Sequence, residues 1–291
     1  ETGAEIKFNI RGVGSINGGE PYVLVDGVEQ SLQNVNPADI ESVSVLKDAS
    51  AAAVYGARAA YGVVLVTTKS GRKEKTRVTY QGTVGFSSPI NMPQMMNSLE
   101  FARYVNERND NDGVKHKISD DLIKKMEGFM ANPYSAEFPG INANQNGTDW
   151  ASSMDAVYAN TDWFDYYFKD AAIRHSHNLN VTGGSDKFNY YVGLGYTYQE
   201  GLLDQVDDNL SKYNVNTKLQ LQATSWLKFN FNNNITLNIL KRPMANQTIF
   251  YGKLGQTIPN APTHYPIDSQ YNDASEYRFL KESHYVQNRI S

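Results

Sequence analysis

Few residue groupings in this 291-residue chain could do chemistry. Arg11-Gly12-Val13-Gly14-Ser15-Ile16-Asn17-Gly18-Gly19 has the glycine content of a phosphate-cradling loop. A dinucleotide fingerprint begun at Gly12 and Gly14 needs a glycine at 17, where Asn17 stands, and then a long helix, which the following sequence does not offer. Asn109-Asp110-Asn111-Asp112-Gly113 carries calcium-type ligands, but its register puts the first ligand at Arg108 and the closing glutamate at Ser119, so a plain turn is expected. His175 and His177 fall on one face of a strand and could share a metal ion; with no third ligand in view they read as interface histidines, and no metal is assigned. Asp204, Asp207 and Asp208 read as a solvated loop. No serine, histidine and acid stand in a context that marks a nucleophile, so no catalytic residue, no cofactor and no enzymatic activity are expected.

Composition narrows the class. Cysteine is absent, which excludes disulfides and thiolate metal sites, and a net charge of -4 gives no footprint for nucleic acid. Hydrophobic residues make up 40% and mean hydropathy is -0.52, values usual for a soluble chain. A membrane barrel has the same averages, because its apolar residues alternate with polar ones. No stretch is long and apolar enough for a transmembrane helix. Nineteen tyrosines are the notable excess, and tyrosine favours boundaries between apolar and wet surroundings. The sequence starts at Glu1 without a signal peptide, so targeting information is expected to be removed or missing.

The elements that position these residues fall into two styles. In the first, Ile6, Phe8 and Ile10 alternate with polar residues, and Tyr22 to Val25 form a strand closed by an Asp26-Gly27 turn. Residues 40 to 69 read as strand, helix, strand: Val43 and Val45 alternate with serines, Asp48 or Ser50 caps an alanine-rich helix, Gly62 ends it, and Val63 to Thr68 make a buried β-branched strand. The sequence of this unit, Leu46-Lys47-Asp48-Ala49 through Tyr55-Gly56-Ala57-Arg58 to Gly62-Val63-Val64-Leu65-Val66-Thr67-Thr68-Lys69, resembles the end of the plug domain of SusC/RagA-type TonB-dependent outer-membrane transporters. The Arg11 to Gly18 stretch and Val25-Asp26-Gly27 resemble the same plug.

After the charged break Gly71 to Lys75 the pattern becomes long two-residue alternation. Val78, Tyr80, Val84 and Phe86 oppose Arg77, Thr79, Gln81 and Thr83; Leu179 and Val181 oppose Ser176, Asn178, Asn180 and Thr182. Phe188, Tyr190, Val192, Leu194, Tyr196 and Tyr198 oppose Asn189, Gly193, Gly195, Thr197 and Gln199, with Tyr191 the one large residue on that polar face. Tyr213, Val215, Leu219 and Leu221 oppose Asn214, Asn216, Lys218, Gln220 and Gln222; Phe229, Phe231, Ile235, Leu237 and Ile239 oppose Lys228, Asn230, Asn232, Asn234, Thr236 and Asn238. A soluble antiparallel sandwich alternates in the same way. Segments of about 10 to 13 residues, aromatics at their ends and connections that alternate short and long favour a membrane barrel. Five strands cannot close one, since the smallest have about eight, so a longer protein is expected.

Wall pieces resemble the same family: Thr161-Asp162-Trp163-Phe164-Asp165, His177 to Ser185 and Gly195 to Gly201. The resemblance implies a mixed α+β plug over residues 1–75, then antiparallel transmembrane strands over 76–291 with a long insertion at about 87–172, a partial barrel of a family with about 22 strands. It implies plug-motif roles, structural or gating, for Arg11, Gly12, Asp26, Gly27, Lys47, Asp48, Tyr55, Gly56, Arg58 and Gly62. It also implies uptake of oligosaccharides, less often peptides, with a SusD-like surface lipoprotein, powered through TonB, in contact with outer-membrane lipid. An asparagine- and glutamine-rich inner face suits sugars, because carboxamides donate and accept without charge. The rival readings are a soluble β-sandwich glycan-binding module or adhesin, and a siderophore or cobalamin receptor on the same fold. Within the insertion, Asn97 with Glu100, and Ser119, are expected to cap two helices whose apolar faces (Leu99, Phe101, Ala102, Val105; Leu122, Ile123, Met126, Met130) cover the barrel rim.

Overall fold

The computed structural model describes residues 21–47, 53–115, 118–142, 156–204, 206–242 and 252–263. The plug-motif residues Arg11, Gly12 and Asp48 therefore lie outside the described residues. The described chain forms two compact units, residues 89–170 with 203–206 and the segment after 242 in one, the remainder in the other.

The larger unit begins with a small sheet. Strands β1 (Tyr22–Val25) and β2 (Val28–Glu29) pair antiparallel around Asp26 (φ 50°) and Gly27 (φ 85°). Two left-handed residues in a two-residue loop are what a tight hairpin turn requires, and Asp-Gly is a favoured pair for it. β3 (Ile40–Leu46) runs antiparallel to β4 (Val63–Thr68), which runs parallel to β1, giving the order β2-β1-β4-β3. β4 is buried on both faces: Val63 packs with Leu24 and Ala59, while Val64 and Val66 pack with Val25 and Val35. Between β3 and β4, the alanine-rich stretch is not the regular helix expected. Ala53–Tyr61 forms 3-10 turns broken at Gly56, whose φ of 67° and ψ of -154° cannot continue a right-handed helix. Gly62 follows with φ 98°, the left-handed position expected where this segment ends.

Five strands make the second sheet: β5 (Arg77–Ser87), β6 (Ala172–Gly184), β7 (Phe188–Glu200), β8 (Asn209–Gln222) and β9 (Lys228–Lys241). They are antiparallel neighbours in chain order, with continuous register from Arg77↔Thr182 to Gln222↔Lys228. β8 starts at Asn209, earlier than the alternation at Tyr213 suggested, so the loop before it is shorter than expected. The row Tyr80–Leu179–Leu194–Val215–Ile235 crosses the whole outward face, an apolar band five strands wide. The sheet's two edges, β5 and β9, leave it open, as a partial barrel must be.

In the smaller unit, α1 (Ser98–Asn111) carries the expected capping box, with Asn97 Oδ1 accepting from Glu100 N at 2.9 Å and Glu100 Oε2 accepting from Asn97 N at 3.0 Å. Asn109 to Asn111, expected with the next two residues to form a plain turn, instead close the helix, and only Asp112 and Gly113 (φ 67°) turn the chain out of it. Ser119 caps α2 (Asp120–Ala131). The apolar faces expected to cover a rim instead fill a core of their own, where Ala102, Val105, Leu122, Met126 and Phe129 close on Tyr158 and Ala159; Met130 stays outside, exposed. A third helix, α3 (Trp163–Tyr167), which the sequence pattern did not reveal, seats Trp163 with its Nε1 donating to the Ile258 carbonyl at 2.9 Å.

Candidate functional site

The site is the seam where the small sheet rests on the inward face of the wall. Its parts come from local turn chemistry. After β2, Ser31 and Asn36 each cap a single 3-10 turn, Leu32–Asn34 and Pro37–Asp39, by accepting from the backbone two residues on. Pro37 sits where its missing N–H costs nothing. These two turns present backbone carbonyls and the side chains of Asn36 and Asp39 outward in a short span, and the wall supplies their partners.

Tyr191 donates its hydroxyl to Asp39 Oδ1 at 2.6 Å, with both residues buried. Asn36 Nδ2 donates to Asn178 Oδ1 at 2.8 Å. Lys212 donates to the Gln33 carbonyl, while the Asn34 carbonyl accepts from Thr236 Oγ1 at 2.7 Å and from Asn214 Nδ2 at 3.2 Å. Lys218, buried, donates to Asp26 Oδ1 at 2.8 Å and to the Thr68 carbonyl at 2.9 Å. Asp26 also accepts from Thr68 N at 3.0 Å and Thr68 Oγ1 at 2.6 Å, so one carboxylate ties the β1–β2 turn, the end of β4 and the wall together.

Steric fit matches the hydrogen bonding. Gly193 and Gly195 lie directly beneath Asp39 and Asn36: a Cβ on Gly193 would stand 2.9 Å from Asp39 Cγ, and one on Gly195 would stand 3.3 Å from Asn36 Cγ, both inside van der Waals contact. Any other residue at 193 would have to displace the Asp39 carboxylate from its place against the wall. These glycines in mid-strand weaken the strand itself, a cost that the close approach of the Asp39 and Asn36 side chains explains.

The two carboxylates differ in electrostatics. Burial pushes Asp26 upward, but hydrogen bonds from Lys218 and Thr68 outweigh it and hold the carboxyl below its ordinary range. Burial dominates at Asp39, so its carboxyl lies above that range although the Tyr191 hydroxyl, the nearby Asn216 amide and Lys69 pull the other way. Asp26 is thus a fixed anion paired with a buried ammonium; Asp39 is an acid held in tension at the same seam. Beside the Asp26–Lys218 pair lies a cavity of ≈ 320 Å³ lined by Val25, Val28, Gln30, Asn216 and Asn232 to Asn234, whose carboxamides can donate and accept hydrogen bonds without charge.

Of the motif residues singled out from sequence, Asp26 alone among those described reaches the wall; Gly27 shapes its turn. Tyr55 packs into the small core near Tyr22 (ring centroids 6.5 Å apart), and Arg58, ion-paired to Glu29, lies over the Tyr22 ring at 5.8 Å. Gly56 and Gly62 set the break and the end of the intervening segment, and Lys47 is exposed after β3. Asn36, Asp39, Tyr191, Gly193, Gly195 and Lys218 were not singled out. Two signals pointed at them: Tyr191 is the one bulky side chain on its face, and Lys218 the charge among Asn214, Asn216, Gln220 and Gln222. Among the described residues no three of His, Cys, Asp and Glu group as metal ligands, and no helix is long and apolar enough to cross a membrane.

Comparison with known proteins places this geometry. Residues 1–63 match the TonB-dependent receptor plug domain. TonB-dependent receptor P26 of Formosa agariphila is 30% identical over 94% of the chain, and TonB-dependent receptor SusC of Bacteroides thetaiotaomicron is 30% identical over 95%. The chain spans 24% of the length of each of these relatives. Among solved structures, the RagAB peptide importer in its open-open state superposes with a TM-score of 0.61 at 25% identity, covering 90% of this chain and 30% of that one.

Proposed function

Since this chain belongs to the SusC/RagA-like TonB-dependent transporters, β-barrel proteins of the bacterial outer membrane and not enzymes, we propose that it carries the gate of an importer: a plug held on the inner wall by the seam around Asp26 and Asp39. Plug and first wall strands occupy residues 1–75 and 76–291, with residues 89–170 of the smaller unit as the insertion between β5 and β6. The observation that carries this reading is chemical. Among the described residues, the plug is fixed to the wall by discrete hydrogen bonds over two glycines and by the ion pairs Asp26–Lys218 and, at the exposed end, Lys73–Asp186, while its two apolar clusters are built from plug residues. Such a contact can separate in water, because each polar group released finds a new partner there, whereas an apolar interface would not. A pull transmitted from TonB through a segment preceding β1 then opens a path along the wall.

The cargo is a bulky hydrophilic nutrient, an oligosaccharide, delivered with a SusD-like surface lipoprotein. Support comes from the inward rows of Asn214, Asn216, Asn230, Asn232, Asn234 and Gln220, neutral groups suited to hydroxyls. Peptide is the second reading, favoured by the likeness to a structure described as a peptide importer. The test is growth and labelled-solute uptake by a strain deleted for the full-length gene. Loss of uptake of one glycan, also lost without TonB, supports the first reading. Loss of oligopeptide uptake supports the second, and unchanged uptake of both contradicts the transporter role.

A further inference from the structure

On the outward face, opposite the plug seam, the wall register brings four tyrosines and two histidines together. Gly82, His177, Tyr196 and Tyr213 share one row, and Val84, His175 and Tyr198 the next. Tyr196 and Tyr198 cover the imidazoles: His177 stacks on Tyr196 (centroids 6.5 Å, planes 7° apart) and His175 on Tyr198 (5.3 Å, 29°). Aromatic rings at this end of the strands serve as a girdle at the membrane surface. Three details exceed what a girdle needs.

The Tyr80 hydroxyl and His177 Nδ1 are hydrogen-bonded at 2.7 Å, and Gly82, directly across from His177, leaves the room: a Cβ there would crowd the Tyr80 hydroxyl at 3.2 Å. Nδ1 of His177 is therefore occupied, which leaves Nε2 as the nitrogen it can offer a ligand. His175 Nδ1 is buried without a hydrogen-bond partner, a polar atom that burial ordinarily forbids. Finally, the two imidazole centroids are 5.2 Å apart with planes at 57°. Two imidazoles bound through nitrogen at neighbouring positions of one ion, with metal–nitrogen bonds of about 2.0–2.1 Å, place their centroids about 4.5–5.2 Å apart as the angle between them opens from square-planar to tetrahedral.

We propose that His175 and His177 form a two-imidazole chelate for a divalent first-row transition ion, Cu²⁺ in preference to Zn²⁺, on the outward face of the wall. His177 ligates through Nε2, with Tyr80 as a positioning residue that fixes its tautomer, as partners behind metal-bound histidines do. Water completes the coordination, which the nearness of the strand ends allows: His175 is three residues from the start of β6. The preference for Cu²⁺ follows the usual affinity order at nitrogen sites.

The experiment titrates Cu²⁺ into the untagged full-length transporter in detergent, read by tyrosine fluorescence and by electron paramagnetic resonance. One saturable equivalent is expected that quenches tyrosine emission, shows coupling to two nitrogen nuclei and is displaced only by excess Zn²⁺. The variant H175Q/H177Q should lose that equivalent. Y80F, checked for an intact barrel by its heat-modifiable migration, should bind at least tenfold more weakly. No saturable binding, or the same binding in H175Q/H177Q, overturns the proposal; unchanged affinity in Y80F overturns the role given to Tyr80.

Discussion

Gly193 and Leu194 are neighbours on β7, and they show how one strand serves two solvents. Leu194 is 44% exposed on the outward face, in an apolar row that lipid covers; Gly193 is buried against Asp39. Away from the His175–His177 cluster, outward positions ask only for apolar bulk, which Leu, Val, Ile or Phe supply interchangeably. Inward positions at the plug seam ask for particular atoms at particular places, so Tyr191, Gly193, Gly195 and Lys218 each meet a particular plug group. Substitutions should therefore be tolerated by class on the outside and by identity on the inside. Each prediction below concerns the full-length protein.

The largest effect is expected inside. Asp26→Asn keeps the shape and tolerates the left-handed turn, but leaves the Lys218 ammonium buried without its anion, a change that costs about 3–5 kcal/mol where a buried pair is broken. Limited proteolysis of the plug in detergent should accelerate accordingly; protection equal to wild type would mean the pair does not hold the seam. Next comes Leu194→Arg, which should destabilise the wall by about 2–4 kcal/mol if it lies near the bilayer midplane, while Thr197→Ser on the inward face should change it little. Equal unfolding midpoints for the two variants would break the assignment of faces. Gly193→Val adds volume beneath Asp39 and should cost about 1–3 kcal/mol of plug seating while sparing the barrel. The expected signature is faster plug proteolysis with an unchanged barrel melt.

The smallest effect separates the two carboxylates by sign. Asp39, raised, is less at ease ionised in the seam than free, so its contribution to seating improves as pH falls from neutral through its raised value. Asp26, lowered, contributes fully above the ordinary carboxylate range, and that contribution is lost as pH falls through its depressed value. Plug protection should thus rise modestly on acidification and then collapse. Asp39→Asn, which keeps an acceptor for Tyr191, should remove the rise and leave the collapse; a rise that persists in this variant would assign it to another group.

How much of this was legible follows from the range of each code. The wall strands were readable because alternation is local, and both helix caps because a cap acts within four residues. The plug turn at Gly56 was misread as helix: alanines favour helix, and nothing local says that Gly56 takes φ 67°. The seam was the least legible. Asp39 looked like one more polar residue after Pro37, and its partner Tyr191 is 152 positions away. Tyr191 and Lys218 stood out on their faces as exceptions, which marks a residue as busy without naming what it meets. Similarly, Trp163 belongs to a recognisable hallmark, yet its helix is five residues long, too short for periodicity to reveal.

The central claim is that the plug must leave the wall for solute to pass. A Cβ at position 193 stands 2.9 Å from Asp39 Cγ, hence within about 4.4 Å of Asp39 Cβ, the spacing a disulfide spans. In a chain whose sequence here has no other cysteine, D39C/G193C replaces the carboxylate by a sulfur and allows a bond in its place. The account predicts that the oxidised full-length protein still binds its solute at the surface but imports none, and that reductant restores import to the rate of the reduced variant. Import at full rate with the disulfide demonstrably closed would contradict it.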